Sequence, residues 1–185
     1  GSTSEDGAGQ LSKEQSRQAE FEQVFREHWE KVYSLLFRLT GNRHEAEDLA
    51  LETFVRFWHQ PPAIITSPGG WLYRVAINLG YNALRAVRRR QHYETTAGWD
   101  ALELNHLKDP PESIELREEQ QLVRQVLAGM PPRMARLLLL RSSGLSYNEI
   151  AISLQVKPSS VGALLARAEQ EFEKRYRQGG FYASE

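Results

Sequence analysis

The chain has 185 residues and a mass of 21.2 kDa, and its 23 basic and 24 acidic side chains give a formal net charge of −1. It contains no cysteine, which excludes disulfides, cysteine-ligated zinc or iron–sulfur sites and a thiol nucleophile. No apolar run approaches the roughly 20 residues that span a bilayer, and no basic-then-apolar leader is evident, so we expect a cytoplasmic protein.

The charge is unevenly distributed along the chain. Residues 1–60 carry −4, residues 61–93 carry +5, residues 94–119 carry −6 and residues 120–185 carry +4. Salt screens exposed charges over about 8–10 Å, so charges on distant surfaces do not cancel one another. Two cationic blocks separated by an acidic block indicate two modules with separate surfaces.

The first helix is predicted to follow a polar N-terminal segment. The first two residues resemble an expression scar, and we expect residues 1–18 to form a disordered tail. Apolar side chains then recur at three-and-four spacing from Phe21 to Leu39, which predicts a helix that ends at Gly41.

Two further helices complete the first predicted module. The second begins near His44 and stops at Pro61, and the third begins with Ser67 as N-cap and Pro68 at the first helical position. The third helix is predicted to run to Tyr93. Because the chain shows no alternating pattern long enough for a strand, we predict an all-α fold.

The third helix has one apolar and one cationic side. At 100° per residue, the apolar side presents Leu72, Val75, Ala76, Leu79, Ala83, Ala86 and Val87, and the opposite side presents Arg74, Asn78, Tyr81, Arg85 and Arg88. The guanidinium of arginine donates paired hydrogen bonds to phosphates, while Asn can hydrogen-bond to bases and Tyr can also stack on them. The pattern fits a nucleic-acid surface, and it equally fits a solvated face whose arginines favour the negative end of the helix.

A linker is predicted to divide the chain into two small helical modules. Residues 94–112 mix Gly, Thr, Asp and Pro without periodicity, which is typical of a flexible linker. The modules then cover residues 19–93 and 113–178, with a tail at 179–185. Gly129 is predicted to end a helix of the second module in the left-handed conformation.

The second module contains a helix-turn-helix pattern. Ser146 begins a short helix and Pro158 begins the next one, with a tight turn between them. Small Ala151 in the first helix, Val156 in the turn and Val161 in the second helix suit two helices that meet at a steep angle. A helical hairpin that binds nothing is the alternative interpretation.

Several motifs together carry a family resemblance. The stretches 47–58 (EDLALETFVRFW) and 71–79 (WLYRVAINL), with the arginines at 88–90, resemble the second conserved region of bacterial extracytoplasmic-function (ECF) sigma factors, and 129–133 (GMPPR), 145–151 (LSYNEIA) and 161–168 resemble their fourth region. The order and spacing of these motifs match the family from about Phe21 to Tyr176.

The resemblance implies a non-enzymatic protein without cofactors or metals. Such a subunit binds core RNA polymerase, directs recognition and opening of promoter DNA, and is held inactive by an anti-sigma factor. One alternative is a sigma-like decoy or adaptor that binds an anti-sigma protein without engaging promoter DNA. A hydrolase or metal enzyme is a third hypothesis, but the five histidines lack the spacing of metal ligands.

The resemblance also implies a polymerase-binding helix. Its candidate residues are Asp48, Glu52, Phe54, Arg56 and Trp58. The three charged residues recur every four positions, so they share one helix face and offer charge complementarity, while the two aromatic residues anchor the core. An intrahelical pair between Glu52 and Arg56 is compatible with the same arrangement.

The third helix and the loop before it are implied to bind the minus-ten promoter element. The candidate residues are Ile64, Ile65, Thr66, Trp71, Arg74, Asn78, Tyr81, Arg85, Arg88, Arg89 and Arg90. Extruding a base from the duplex costs a few kcal/mol, which stacking, a pocket and backbone cations offset.

The helix-turn-helix is implied to bind the minus-thirty-five element. The candidate residues are Ser146, Lys157, Ser159, Ser160 and Arg167. The second helix holds no basic residue before Arg167, and bidentate Arg–guanine contacts supply about 1–3 kcal/mol each, so base readout is predicted to be thin. From the near-neutral net charge we expect weak binding to free DNA, with core polymerase supplying much of the affinity.

Overall fold

The computed structural model describes residues 3–59, 67–97 and 114–182, which contain seven helices and no strand. The helices are α1 (Thr3–Thr40), α2 (Arg43–His59), α3 (Pro68–Ala97), α4 (Ile114–Gly129), α5 (Pro132–Ser142), α6 (Tyr147–Leu154) and α7 (Pro158–Tyr182). The prediction of an all-α fold is confirmed. Within the described ranges, no helix is both long and apolar enough to cross a membrane.

Helices α1, α2 and α3 form the first module around a shared apolar core. Its fully buried residues include Val32, Leu35, Leu36, Leu39, Ala46, Ala50, Leu72 and Ala76. Helix α3 crosses α1 closely at Gly80, where an added Cβ atom would lie 2.5 Å from Cδ1 of Leu39. A side chain at this position would require the buried side chain of Leu39 to shift.

The N-terminus differs from the prediction. The disordered tail expected over residues 1–18 is wrong from Thr3 onward, because α1 already begins there. The side chains of residues 11–20 are all exposed. Extending a helix that is already nucleated adds one hydrogen bond for each residue fixed, so the packed half of α1 supports this extension. Arg17 holds it in place by donating a hydrogen bond to the carbonyl oxygen of Trp58.

The boundaries of α2 and α3 follow the capping signals in the sequence. Gly41 has a φ of 64°, and the side chain of Asn42 accepts a hydrogen bond of 3.0 Å from the backbone N–H of Glu45. Ser67 accepts a hydrogen bond of 3.2 Å from the N–H of Gly70, which confirms it as an N-cap.

Helix α3 is longer than predicted. It extends to Ala97, whereas the sequence pattern predicted an end at Tyr93. No glycine or proline stands between these two residues, so nothing in the sequence stops the helix before Gly98. The first residues of the predicted linker 94–112 therefore belong to α3, and the rest of the linker lies outside the described residues.

Helices α4 to α7 form the second module, and α6 and α7 have the predicted helix-turn-helix geometry. Gln155 adopts the left-handed conformation with a φ of 55° and a ψ of 47°, which turns the chain sharply after α6. Ala151 and Val161 are buried between the two helices, and Val156 is half-buried in the turn. The helix-turn-helix prediction is confirmed.

Two predictions in this module need correction: the glycine cap at Gly129 and the tail at 179–185. Gly129 is the last residue of α4 and its φ is not positive, so it does not form the expected left-handed cap. An added Cβ atom there would lie 2.8 Å from Nη1 of Arg88, so glycine permits a close approach instead. The tail predicted at 179–185 is helical as far as Tyr182, and a Cβ atom at Gly179 would lie 2.8 Å from Cδ1 of Leu122. Packing against α4 explains why α7 continues.

The two modules pack against each other through α3. This helix contacts α1 and α2 on one side and α4, α5 and α6 on the other. The two modules together therefore determine which residues of α3 remain exposed.

Candidate nucleic-acid interface

The buried arc of α3 is wider than the sequence predicted. Leu72 and Ala76 are buried on the expected side, but Tyr73, Ile77 and Leu84 are buried as well. The sequence pattern treated α3 as packed on one side, whereas the second module covers part of the face that was expected to meet nucleic acid.

Part of the predicted cationic face remains accessible. Arg74 and Arg85 are exposed and Asn78 is half-buried. At 3.6 residues per turn, Arg74 and Arg85 lie within about 20° of each other around the helix axis, and Arg89 lies about 40° further round. These three arginines form a line that a nucleic-acid backbone can follow.

The three arginines at residues 88–90 do not share one face of α3. All three side chains are exposed, but consecutive helical residues point about 100° apart. Arg88 lies beside Gly129 of the second module, on one side of the line of exposed arginines. Arg90 points about 140° away from Arg85 around the helix axis. Only Arg89 of the cluster therefore extends the accessible line.

Tyr81 is buried, contrary to the predicted position on an accessible face. Its relative exposure is 1%, and its hydroxyl lies 3.4 Å from the carbonyl oxygen of Leu127 and 3.3 Å from that of Met130, toward which it donates. The guanidinium of Arg136 lies 5.6 Å from the centroid of its ring. Burial raises the pKa of Tyr81, so the hydroxyl keeps its proton and remains a donor.

The other minus-ten candidates lie in different surroundings. Trp71 is half-buried with its ring centroid 5.6 Å from that of Phe57, so it packs on the first module. Ile64, Ile65 and Thr66 lie outside the described residues.

A polar contact behind α3 joins α1 and α3 within the first module, and Glu149 of the second module acts on it electrostatically. Nδ1 of His28 and the hydroxyl of the buried Tyr73 are 2.8 Å apart. Burial lowers the pKa of His28, although Glu27 and Glu149 oppose this shift. Burial also raises the pKa of Tyr73, and Glu149 adds to that increase. The neutral forms of both groups are therefore favoured, with Tyr73 as donor and His28 as acceptor.

Helix α2 presents the predicted charged face. Asp48 is exposed, and Nη2 of Arg56 lies 2.5 Å from Oε1 of Glu52, with both side chains about half exposed. An exposed pair at this spacing contributes about 0.3–0.5 kcal/mol. Phe54 is buried in the core, and Trp58 is half-buried with the guanidinium carbon of Arg17 4.7 Å from its ring centroid.

Two apolar residues on the same face were not among the predicted site residues. Leu51 is 44% exposed and Val55 is 51% exposed. They are four residues apart, so they form one apolar strip between the charged side chains of α2. The signal was present in the sequence, because an apolar pair at this spacing on a charged face leaves hydrophobic surface to be covered by a partner.

The helix-turn-helix presents a small and weakly charged surface. Lys157, Ser159 and Arg167 are exposed, and the N–H of the half-buried Ser160 donates to the carbonyl oxygen of Lys157 over 3.0 Å. Arg167 falls within about 20° of Ser160 around the helix axis but about 10 Å further along it. Arg167 therefore shares a face with the start of α7 while lying two turns away.

Ser146 begins α6, as the sequence predicted. Its hydroxyl accepts a hydrogen bond of 3.2 Å from the N–H of Glu149, and the carboxylate of Glu149 accepts one of 3.1 Å from the N–H of Ser146. This capping box fixes the start of α6. Nearby, the guanidinium of Arg141 lies 5.3 Å from the ring centroid of Tyr147, which places a cation at the exposed start of the same helix.

The described residues offer no group of three or more His, Cys, Asp or Glu side chains arranged to hold a metal ion.

Two family models match the chain. Sigma-70 region 2 matches residues 24–90, and Sigma-70, region 4 matches residues 120–172. The matched segments coincide with the cores of the two helical modules.

Curated relatives have sigma-factor names. The ECF RNA polymerase sigma factor SigE of Mycolicibacterium smegmatis is 34% identical over 166 residues, which cover 85% of this chain and 62% of that protein. The RNA polymerase sigma-H factor of Pseudomonas aeruginosa is 32% identical over 167 residues, which cover 83% of this chain and 84% of that protein. The ECF RNA polymerase sigma factor SigW of Bacillus subtilis is 27% identical, with 80% and 84% of the two chains covered.

Solved structures share the fold. CnrH, in complex with the cytosolic domain of CnrY, superposes with a TM-score of 0.57 at 18% identity, covering 85% of this chain and 87% of that one. The sigma factor RpoE, in complex with the anti-sigma factor NepR from Bartonella quintana, gives 0.53 at 17% identity, covering 85% and 97%.

Proposed function

Because the chain belongs to the extracytoplasmic-function family of RNA polymerase sigma factors, we propose that it binds core RNA polymerase and directs promoter recognition and opening. The observation that carries the proposal is the presence of both modules in one chain, each with an exposed surface suited to its task. One module offers the face of α2 and the arginines of α3, and the other offers a helix-turn-helix.

The face of α2 is the proposed polymerase surface. Asp48, Glu52 and Arg56 supply charge along one side of the apolar strip of Leu51 and Val55, and exposed Glu47 lies on its other side. An apolar centre with a charged rim is the usual composition of a specific protein interface. Phe54 and Trp58 pack on the core beneath this face and hold α2 in position.

The arginines of α3 are the proposed contacts to the minus-ten element. Arg74, Arg85 and Arg89 bind the phosphate backbone, and Asn78 lies between the first two as a base or sugar contact. Arg88 is exposed beside this surface, whereas Tyr81 is covered by the second module.

The start of α7 is the proposed contact to the minus-thirty-five element. Lys157 and Ser159 hold phosphates and Arg167 provides the main cationic contact further along the helix. With few side chains able to read bases, affinity for free DNA is low, and most of the binding energy comes through polymerase.

We further propose that the protein acts without catalysing a reaction, works in the cytoplasm, where its template and polymerase are, and is regulated by an anti-sigma factor. The anti-sigma partner is supported by the fold shared with RpoE, whose structure was solved with NepR.

Run-off transcription tests the proposal. The purified chain is added to core RNA polymerase with a library of promoter fragments, and sequence-specific transcripts are expected only when both proteins are present. Absence of initiation, combined with tight binding to an anti-sigma domain, would replace the proposal with the decoy or adaptor function.

A further inference from the structure

We propose that the polymerase surface of α2 continues onto α1, where Arg17 binds an acidic side chain of core RNA polymerase. This inference rests on the proposed function, because it extends the surface through which the chain is proposed to bind core polymerase. The match to Sigma-70 region 2 begins at residue 24, so Arg17 lies outside it. The added contact therefore comes from the N-terminal extension of α1, whose side chains are exposed at residues 11–20.

The first step concerns where the apolar strip of α2 ends. Trp58 follows Leu51 by seven residues and Val55 by three, which places it about 20° from the first and about 60° from the second around the helix axis. Leu51 and Val55 are exposed, and Trp58 is half-buried. Trp58 therefore lies at the end of the apolar strip, in the last turn of α2.

The second step concerns the side chain that lies on Trp58. The guanidinium carbon of Arg17 is 4.7 Å from the centroid of the Trp58 ring, and the same guanidinium donates a hydrogen bond to the carbonyl oxygen of Trp58. The ring of Phe21, also on α1, packs against the indole with the centroids 5.1 Å apart. A cation is favoured both over an aromatic face and at the carbonyl end of a helix. These contacts hold a positive charge at the end of the apolar strip, although Arg17 belongs to α1.

The third step concerns the capacity of Arg17 to bind a partner. Its side chain is exposed despite the contacts with Trp58. A guanidinium carries several N–H donors, and the bond to the carbonyl oxygen of Trp58 uses one of them. The other donors can bind a carboxylate through paired hydrogen bonds. Leu11, six residues earlier, points about 120° away from Arg17 around the axis of α1, so it stays outside this surface.

The charges around the strip indicate the chemistry of the partner. Exposed Glu47, Asp48 and Glu52 lie on the first two-thirds of α2, whereas exposed Arg56 and Arg17 lie at its carboxyl end. The surface is therefore acidic toward one end and basic at the other. Complementary interfaces place opposite charges against each other. We therefore expect basic groups of core polymerase opposite the acidic end and an acidic side chain opposite Arg17.

Charge variants of Arg17 in the full-length chain test the contact. Arg17→Ala is expected to weaken binding to core polymerase about threefold in low salt and Arg17→Glu about tenfold, mostly through slower association. Arg17→Lys keeps the charge and should bind within about twofold of the wild-type chain. The matched control is Arg26→Glu, because Arg26 is an exposed arginine of the same helix that points about 180° away from Arg17. This control should bind core polymerase as the wild-type chain does.

The salt dependence separates a direct contact from a role in holding Trp58. Raising the ionic strength from about 0.05 M to about 0.5 M screens exposed charges, so the difference between Arg17→Ala and the wild-type chain should shrink to less than about 1.5-fold. If Arg17 only held the end of α2 in place, the loss of affinity would be the same at both ionic strengths. A loss of equal size at both, or wild-type affinity of Arg17→Glu in low salt, would overturn the inference.

A second measurement is independent of the size of the affinity change. The chain has no cysteine, so Arg17→Cys and Arg26→Cys each introduce a single thiol. With core polymerase at a concentration that saturates binding, alkylation of Arg17→Cys should slow about tenfold or more, because a covered thiol is inaccessible, while alkylation of Arg26→Cys should change less than about twofold. Equal alkylation of Arg17→Cys with and without core polymerase would also overturn the inference.

These outcomes are distinguishable from failure of the proposed function. If the wild-type chain does not bind core polymerase, the proposed function itself is contradicted. If the wild-type chain binds and the Arg17 variants bind equally well, only the contact proposed for Arg17 is contradicted.

Discussion

Neutralising single arginines of α3 tests which of them contact phosphate. Arg85 and Arg89 lie on one side of the helix and are exposed, whereas Arg90 is equally exposed but points about 140° away from Arg85. We therefore expect Arg85→Ala and Arg89→Ala to weaken the salt dependence of promoter binding, and Arg90→Ala to leave it unchanged.

The expected size follows from counterion release. Each phosphate contact contributes about 0.9 to the slope of log K against log salt on duplex DNA and about 0.7 on a single strand. Between 50 and 200 mM salt, each lost contact therefore reduces the fall in affinity by a factor of roughly 2.6–3.5.

The measurement is a salt titration of promoter binding by the holoenzyme, with Arg90→Ala as the charge-matched control. The reasoning fails if Arg90→Ala lowers the slope as much as Arg85→Ala, because the orientation of these side chains would then be irrelevant. It fails equally if neither Arg85→Ala nor Arg89→Ala changes the slope.

Three more variants test the caps, the buried histidine and the polymerase surface. Ser146→Ala removes the capping box of α6 and should lower the free energy of unfolding of the second module by about 1 kcal/mol in chemical denaturation. The pKa of His28 is lowered in the folded chain, so the unfolded chain takes up the proton first and stability should fall as pH drops through 6.5. His28→Gln should flatten that part of the stability–pH curve, and an unchanged curve would contradict the assignment. Leu51→Asp should weaken core polymerase affinity about five- to tenfold, since covering its exposed half contributes about 1 kcal/mol. Leu11→Asp alters a leucine that is also exposed, on the extension of α1, and should leave that affinity unchanged.

Local signals in the sequence predicted the elements well. The N-caps at Ser67 and Ser146 are formed by serines, whose capping preference acts over one turn of helix. The turn at Gln155 was predicted from its position between two helix signals, since glutamine has no preference for the left-handed conformation. The charged face of α2 was predicted in the same way, because charged residues four positions apart share one side of a helix regardless of what surrounds them.

The arrangement around Tyr81 was beyond the reach of such signals. Its position on a polar helix face predicted exposure, and its burial depends on where α4 and α5 pack, which no local pattern specifies. The extension of α1 escaped prediction for a related reason. Its polar sequence gives no hydrophobic periodicity, while the contact of Arg17 with Trp58 joins residues 41 positions apart.

Helix α7 links the helix-turn-helix mechanically to the rest of the second module. Its first turn belongs to the helix-turn-helix, and near its other end Arg175 donates a hydrogen bond of 2.5 Å to the carbonyl oxygen of Gly129, while Gly179 packs on Leu122. With 25 residues and about 1.5 Å of rise per residue, α7 is a rod nearly 40 Å long. In the proposed complex with DNA, we therefore expect a tilt of the first turn of α7 to be transmitted along this rod to α4.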